Sequence, residues 1–190
     1  MKFRDLKSLV RDDLFRYGGV SGLRNFLVNY FLAPGFRYSF WLRVCNYCSK
    51  HPVLKHGTFQ FVLLVLLRCS YKFGISIPYH TEIGQGLYIG HFGGIVVNGY
   101  ARIGKNCNLS HGVTLGQANR GKRKGYPIIG DNVYIGPGAK IVGAVRVGNC
   151  AAVGANCVVT DDVPENGVVV GVPGKIVSHA GSVGYVEFTV

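Results

Sequence analysis

The chain has 190 residues, 48% of them hydrophobic, and a formal net charge of +12 at pH 7. This length and composition predict one domain with a buried core plus an appendage. The mixed first 25 residues are not a secretory signal, and the longest apolar run, Phe59–Leu67, is about half as long as a membrane span. We therefore expect a cytoplasmic protein.

Residues 1–74 form the first predicted unit, which is basic and rich in aromatic residues. They carry twelve Lys and Arg against three Asp, a net charge of +9, whereas the rest of the chain carries +3. Apolar residues recur at helical spacing from Phe3 to Leu14, and Gly74 is a suitable helix end. The pattern predicts three or four partly amphipathic helices.

The charge of this first unit indicates an anionic partner, which is a membrane, a nucleic acid or an acidic polymer. Two interpretations of the helices stay open. In one they pack on the following unit or on a partner subunit. In the other they rest on an anionic bilayer, at the cytoplasmic face of the membrane. We predict no nucleic-acid binding.

The six cysteines fit a reduced chain better than a disulfide framework. Cys45 and Cys48 form a single C-x-x-C in an aromatic, helix-like segment, and no second pair follows at zinc-finger spacing. We therefore predict no metal site.

From about Ile75 onward, aliphatic residues follow a six-residue beat with two interruptions. This period is neither 3.6 nor 2.0, and it predicts a parallel β-helix in which three hexapeptides make a triangular coil of roughly 18 residues. About five coils fit between Ile75 and Asp162. The thirteen positions on the beat are Ile77, Ile83, Ile89, Ile95, Ile103, Leu109, Leu115, Ile129, Ile135, Ile141, Val147, Val153 and Val159.

A small or modest apolar residue often follows four places after the aliphatic one, and we predict that it also lies in the core. The examples are Cys107, Val113, Val133, Ala139, Ala151 and Cys157. The β-helix unit is predicted to span 75–178, with an extended loop at 117–127, and residues 179–190 form a C-terminal tail. The predicted fold class is thus mainly β, with an N-terminal α-helical region.

The two breaks in the beat are where chemistry is expected, because a regular solenoid wall presents mostly packing residues. The first break is predicted between Ile95 and Ile103, and the second is the basic loop 117–127. His91 and His111 both stand two places after a beat residue, so they should occupy similar corners of successive coils. An imidazole pair beside a loop predicts a general-base site.

The stretch IGQGLYIGHFGGIVVNGYARIGKNCNLSHGVTLG, then IIGDNVYIGPGAKIVGAVRVG, resembles serine acetyltransferases and the related O-acetyltransferases of polysaccharide biosynthesis. The resemblance covers roughly Ile75 to Val177. It implies a left-handed β-helix, a homotrimer with active sites between subunits, and acetyl transfer from acetyl-CoA to a hydroxyl without a metal. His91 matches the catalytic histidine of the family, in its H-x-x-G-I-V-V setting.

The same resemblance also shows departures from the serine enzymes. Their D-I-H-P segment, whose aspartate orients the catalytic histidine, reads SIPY here, so Ser76 stands at the aspartate position. A second aspartate is replaced by Gly90, and the acceptor loop's Arg-His-Pro reads Gly125–Pro127. Free serine carries two opposite charges that these positions no longer match. The departures favour a neutral sugar or polysaccharide unit as acceptor, of the capsule or exopolysaccharide type.

Several residues are candidates for that acceptor site. Tyr126 is expected to stack on a sugar ring, and Asn98 or Asn108 to bind hydroxyl groups. A backbone carbonyl, Ser76 or His111 is expected to orient His91 in place of the missing aspartate.

The closing segment VGVPGKIV resembles the family's G-V-P-A-K. This likeness implies that Lys175 meets a CoA phosphate and that the backbone near Pro137 and Ala155 lines the pantetheine channel.

Three other functions remain open beside a sugar O-acetyltransferase. The first is a genuine serine acetyltransferase of cysteine biosynthesis with an unusual acceptor site. The second is a zinc carbonic anhydrase using His80, His91 and His111, which lacks the expected pair of histidines five apart. The third is a non-catalytic scaffold at the membrane.

Overall fold

Residues 2–190, which the computed structural model describes, contain four helices followed by fourteen short strands. The helices confirm the predicted N-terminal helical region. Pro34 begins α3, where its fixed φ suits the first turn, and Gly74 ends α4 with a left-handed φ of 62°. The bounds are α1 Phe3–Phe15, α2 Leu23–Leu32, α3 Pro34–Lys50 and α4 Thr58–Phe73.

The strands form the three faces of a parallel β-helix. Face A holds β1 Ile75–Ser76, β3 Ile95–Val97, β6 Thr114–Gly116, β9 Lys140–Val142 and β12 Val158–Val159. Face B holds β2 Glu82–Ile83, β4 Arg102–Ile103, β7 Ile128–Ile129 and β10 Arg146–Val147. Face C holds β5 Asn108–Leu109, β8 Tyr134–Ile135, β11 Ala152–Val153, β13 Val168–Val170 and the antiparallel β14 Lys175–Ser178.

Two isolated bridges complete five coils, as predicted. Tyr88 pairs with Asn108 on face C, and Val163 pairs with Val147 on face B. Twelve of the thirteen beat residues are buried, and Ile83 is partly buried. The small residues that follow them are also fully buried, which confirms that both sets face the interior.

The position of the first break was predicted wrongly. Val97, not Ile95, pairs with Leu115, so Val97 is the beat residue of its strand. Upstream, Tyr88 pairs with Asn108, 20 residues further along the chain, whereas Val96 and Val97 pair with Thr114 and Leu115, only 18 residues further along. The two extra residues are therefore His91 and Phe92 themselves.

The helices close the open end of the first coil. Tyr38 accepts from the Ile77 N–H and donates to the Ile77 carbonyl, and Tyr17 does the same at Ile89. Arg43 donates to the carbonyls of face B at Ile83 and Gly84. Burial raises the pKa of both tyrosine hydroxyls, so each stays neutral and can serve as donor and acceptor. These bonds satisfy backbone groups that lack a neighbouring coil.

A buried ion pair joins the helices to the same coil. Arg43 donates to both carboxylate oxygens of Asp13, at 3.0 and 3.1 Å. Asp13 in turn accepts from the Leu87 N–H on the way to face C. The helices therefore pack on the first coil, as one of the two interpretations of the basic unit expects.

The C-terminal tail runs back along face C toward the helices. Ser182 donates to the Asn132 carbonyl, and the Tyr185 ring stacks on Tyr134 with centroids 4.4 Å apart. Nearer the helices, Arg16 donates to the Glu187 carbonyl. The tail thus covers part of face C, while face A has no comparable cover among residues 2–190.

Candidate active site

His91 lies at the corner where face C turns into face A, in the first coil. It and Phe92 bulge from the wall because they are the two residues in excess of the regular coil. Gly93 and Gly94 then return the chain to face A with φ of 106° and 66°, angles that favour glycine. Phe92 packs edge-on against Phe73 of α4, with ring centroids 6.0 Å apart. The imidazole of His91 is exposed.

His111 lies at the same corner, one coil further along. Its backbone is in register with Gly93, since Gly112 donates to the Gly93 carbonyl at 2.8 Å. The rings of His91 and His111 are nevertheless neighbours, with centroids 6.0 Å apart and planes at 80°. No side-chain hydrogen bond of residues 2–190 involves either ring, so the ring nitrogens of both exposed histidines are available to a bound molecule.

Pro137 and Ala155 continue this corner row in the next two coils. Gly138 donates to the His111 carbonyl at 2.9 Å, and Asn156 donates to the Pro137 carbonyl at 2.7 Å. The row ends at the turn between β13 and β14, which Lys175 follows as an exposed residue. The structure therefore aligns His91, His111, Pro137 and Ala155 along one edge, which we call the histidine corner.

Lys140 supports the histidine corner, and sequence reasoning missed it. Its ammonium group contacts the Gly112 carbonyl, next to His111, and donates to the Thr114 hydroxyl at 3.1 Å. A lysine on the outer side of a repeat strand carries no sequence signal that separates it from a solvated surface residue.

Tyr126 and Asn98 lie at a different edge, where face A turns into face B. The 117–127 loop leaves the wall there as a small hairpin, because Ala118 and Gly125 exchange backbone hydrogen bonds. Tyr126 packs on Tyr100 with centroids 5.0 Å apart. The side-chain amide oxygen of Asn98 accepts from the Tyr100 N–H. We call this edge the loop corner, and face A separates it from His91.

Ion pairs connect the 117–127 loop to the coils that follow it in the chain. Arg123 bridges to Asp161 and Asp162 at 3.4 and 3.0 Å. The Arg146 N–H and then Arg123 hold the pKa of the Asp162 carboxyl below its usual value, and Asp162 raises the pKa of Arg123. Three other cations of the loop remain exposed: Arg120, Lys122 and Lys124.

The two remaining predicted acceptor residues stand apart from both corners. Ser76 is exposed on face A beside Val96. Asn108 is buried on face C, where it accepts from Arg16 at 2.7 Å and donates to the Tyr185 carbonyl at 2.7 Å. Because both ends of its amide are bonded within the chain, we leave Asn108 out of the proposed acceptor site.

The structure does not gather the residues that a zinc site would need. His80 packs against Tyr100 at the loop corner, away from the pair formed by His91 and His111. Across residues 2–190, no group of three His, Cys, Asp or Glu side chains is placed to hold a metal. Cys45 and Cys48 are buried free thiols, and burial raises the pKa of Cys45 to about 12.

Comparison with known proteins agrees with this architecture. The family model described as bacterial transferase hexapeptide (six repeats) matches residues 126–161. The serine acetyltransferase of Synechococcus elongatus is 31% identical over 177 residues, covering 92% of this chain and 70% of the relative. That of Mycobacterium tuberculosis is 36% identical over 132 residues, or 67% of this chain and 58% of the relative.

Solved structures of serine acetyltransferases have a similar fold. Serine acetyltransferase in complex with coenzyme A from Brucella abortus strain S19 has a TM-score of 0.78 and 30% identity, covering 94% of this chain and 70% of that one. The Neisseria gonorrhoeae enzyme in complex with serine has a TM-score of 0.74 and 32% identity, covering 90% and 69%. These similarities confirm the left-handed β-helix. The chain spans 58 to 65% of the length of the first curated relatives.

Proposed function

Because the chain belongs to the hexapeptide-repeat acyltransferase family of the serine acetyltransferases, we propose that it transfers an acetyl group from acetyl-CoA to an acceptor hydroxyl. The observation that carries this proposal is the histidine corner. Two exposed imidazoles lie with centroids 6.0 Å apart, at the end of a row of small residues along one edge of a rigid wall. Such a row leaves room for a long, thin substrate that ends at a base.

His91 acts as the general base in this proposal. Its ring takes the proton of the acceptor hydroxyl as the hydroxyl oxygen bonds to the thioester carbonyl carbon. The C–S bond then breaks, and the CoA sulfur leaves as a thiol after receiving that proton from the imidazolium. The thioester is already activated, so the protein mainly orients the two substrates and moves one proton. Backbone N–H groups are suited to stabilise the intermediate oxyanion.

The register of the coils along the histidine corner supports the binding of acetyl-CoA there. Three rungs separate His111 from the turn that precedes Lys175, or about 14 Å at the usual strand spacing. Pro137 and Ala155 occupy the intermediate rungs and present little side chain to a pantetheine arm. In this proposal, the exposed Lys175 meets a CoA phosphate.

Face A is the proposed contact between the subunits of a homotrimer. Face B presents charges to solvent, including the exposed pair of Glu82 and Arg102 at 3.1 Å, and the tail covers part of face C. Face A presents mainly neutral side chains such as Ser76 and Val96, the latter 48% exposed. A three-fold assembly through face A brings the histidine corner of one copy to the loop corner of the next. Acetyl-CoA and acceptor then meet between copies.

L-serine is the acceptor that the similarities favour. The relatives described above are serine acetyltransferases, and the N. gonorrhoeae structure holds serine. Arg123 is already paired with Asp161 and Asp162, but Arg120, Lys122 and Lys124 are exposed in the loop and available to a carboxylate.

A sugar hydroxyl is the second candidate, because one observation favours it. At the loop corner, the Tyr126 and Tyr100 rings lie with centroids 5.0 Å apart, and Tyr100 is 70% exposed. A partly exposed aromatic surface of this kind suits the apolar face of a sugar ring. The positions matched to the carboxylates of the serine enzymes hold Ser76 and Gly90, which offer no carboxylate to an ammonium group.

The test is CoA release from acetyl-CoA with L-serine, free sugars and nucleotide sugars as acceptors, for the wild type and His91→Ala. Turnover of L-serine that His91→Ala abolishes supports the first candidate, and turnover restricted to sugars supports the second. Acetyl transfer that survives His91→Ala would refute the proposed role of His91. The absence of acetyl-CoA binding by calorimetry would leave a scaffold as the better description.

A further inference from the structure

Helix α2 presents an apolar stripe to solvent. None of the ten residues of Leu23–Leu32 is buried, although only Arg24 among them is charged. Its outward half consists of Leu23, Arg24, Leu27, Val28, Phe31 and Leu32, with Leu23 75% and Leu32 78% exposed. Because so much contiguous apolar surface is uncommon on a protein that stays in water, the stripe indicates an interaction site.

The stripe belongs to a fixed helix rather than to a loose segment. On the inner side of α2, Phe26 packs edge-on against Phe36 and Phe40 of α3, with centroids 5.6 and 5.4 Å apart. Tyr30 packs on Phe40 and accepts from the Trp41 indole N–H. These contacts pack the inner side of α2 against α3, so the opposite side of α2 faces solvent.

The C-terminal part of α4 extends this surface. Arg37 donates to the carbonyls of Tyr30 and Phe31 at the end of α2, and its guanidinium lies 5.6 Å from the centre of the Phe73 ring in α4. The two helix ends therefore meet at Arg37. The outward side of α4 after Gln60 is again apolar and basic, with the exposed residues Phe61, Leu64, Arg68 and Lys72. Leu67 and Tyr71 are also exposed, but they line a groove beside Ser76 and Val96 of face A.

Charge decides which partner fits this surface. Residues 14–81 contain eight Lys and Arg and no Asp or Glu. The nearest carboxylate before them, Asp13, is buried against Arg43. Two copies of so uniformly positive a surface would repel each other, whereas an anionic surface attracts it. A nucleic acid would engage the charges but would leave the Leu and Phe side chains in water.

We propose that the outward sides of α2 and α4 dock the helical region onto an anionic lipid bilayer. The apolar stripe enters the boundary between headgroups and acyl chains, and Arg24, Arg68 and Lys72 meet lipid phosphates. The helices lie on the membrane in this arrangement, which agrees with the finding that no helix within residues 2–190 is long and apolar enough to cross one. The inference goes beyond the proposed acetyl transfer and does not depend on it.

Flotation with lipid vesicles tests the inference. The full chain is mixed with vesicles of phosphatidylcholine alone or with added phosphatidylglycerol, and the floated fraction is measured at low and high salt. We expect binding to the anionic vesicles only, weakened by salt. Phe31→Glu should lower the affinity by about tenfold or more, because it removes an apolar side chain that the bilayer would cover and adds a charge that the anionic lipids repel. Val183→Glu, at an exposed valine of the tail, is the matched control and should bind as wild type does.

Two measurements keep the result interpretable. Circular dichroism and thermal unfolding must show that Phe31→Glu folds like the control, and Arg24→Gln with Lys72→Gln provides a second, charge-based variant. Equal flotation of wild type and Phe31→Glu, or no flotation of wild type, would overturn the inference. One further result would overturn it. If Phe31→Glu sediments as a smaller assembly than wild type without lipid but floats equally well, the stripe is a contact between copies of the chain. Acetyl transfer in lipid-free buffer is assayed separately and reports only on the proposed function.

Discussion

The two corners that border face A are built in different ways. At the histidine corner, the backbone keeps its strand register from Gly93 through His111 and Pro137 to Ala155, and only His91 and Phe92 leave the wall. At the loop corner, the eleven residues 117–127 leave the repeat as a hairpin with aromatic and basic side chains. In the proposed mechanism, the regular corner therefore suits the binding of acetyl-CoA and the proton transfer, and the irregular corner suits the choice of acceptor.

Removing the imidazole of His91 should have the largest effect. If the histidine corner holds the base, His91→Ala should lower the rate of CoA release by about 100-fold to 10,000-fold, the usual range for a general base. The binding of acetyl-CoA, measured by calorimetry, should change little, because the row of Pro137 and Ala155 is untouched.

The control for this variant is His56→Ala, an exposed histidine between α3 and α4 that belongs to neither corner. It should keep wild-type activity. A loss of less than about tenfold in His91→Ala would show that His91 is not the base and would leave His111, the other imidazole of the histidine corner, as the residue to test.

Mixing two inactive variants tests whether the corners work together across subunits. One variant is His91→Ala, and the other replaces residues 119–124 by Asn-Gly, which can close the hairpin because Ala118 and Gly125 already exchange hydrogen bonds. Each alone should be nearly inactive. The whole population of trimers co-assembled at equal amounts should recover about a quarter of wild-type activity. Mixed trimers alone should recover about a third, since one of their three contacts pairs an intact histidine corner with an intact loop corner.

No recovery in co-purified mixed trimers would place both functions within one chain. Wild-type activity of the loop-shortened variant alone would show that the loop is not needed. The mixed trimers are identified by two affinity tags, one on each variant. Separately purified trimers mixed without exchange of subunits serve as the baseline.

The sequence predicted the histidine corner better than the loop corner, for physical reasons. A six-residue period fixes which side chains face inward, so the number of coils and the nearness of His91 and His111 followed from counting. The location of the first break did not, because both Ile95 and Val97 are buried and only strand pairing with Leu115 identifies the equivalent residue. Counting along the chain therefore hid that His91 is itself one of the inserted residues.

The loop corner and the helices lie outside that period. The contact of Tyr126 with Tyr100 joins residues of two coils across a hairpin whose path no repeat dictates. The burial of Asn108 under the tail likewise depends on residues more than 70 positions away, such as Tyr185 and Arg16. Such contacts carry no local sequence pattern.

Shortening Tyr126 should have an intermediate effect that separates the two corners. Tyr126→Ala removes the ring at the loop corner, so the KM for the acceptor should rise by about three- to tenfold, the worth of one aromatic contact. The KM for acetyl-CoA should stay the same. Tyr126→Phe keeps the ring and should restore the acceptor KM if stacking, rather than the hydroxyl, is what matters.

Equal changes in both KM values for Tyr126→Ala would contradict the division of work between the corners. The measurement uses the best acceptor found in the substrate panel, with each substrate varied at a fixed concentration of the other.

Acidification should have the smallest effect, and it concerns how the loop corner is held. The Arg146 N–H and Arg123 hold the pKa of Asp162 below its usual value in the folded protein, so its carboxylate stabilises the fold at neutral pH. This contribution should be lost as the pH falls through that lowered pKa. Asp162→Asn should lower the Tm by at most about 3 °C at pH 7, because the pair is largely exposed. The difference in Tm between variant and wild type should shrink toward pH 3.

A Tm difference that grows on acidification would contradict the lowered pKa of Asp162. Asp131→Asn is the control variant, because the Asp131 carboxylate accepts the Lys105 N–H at the edge of face B and does not contact the loop.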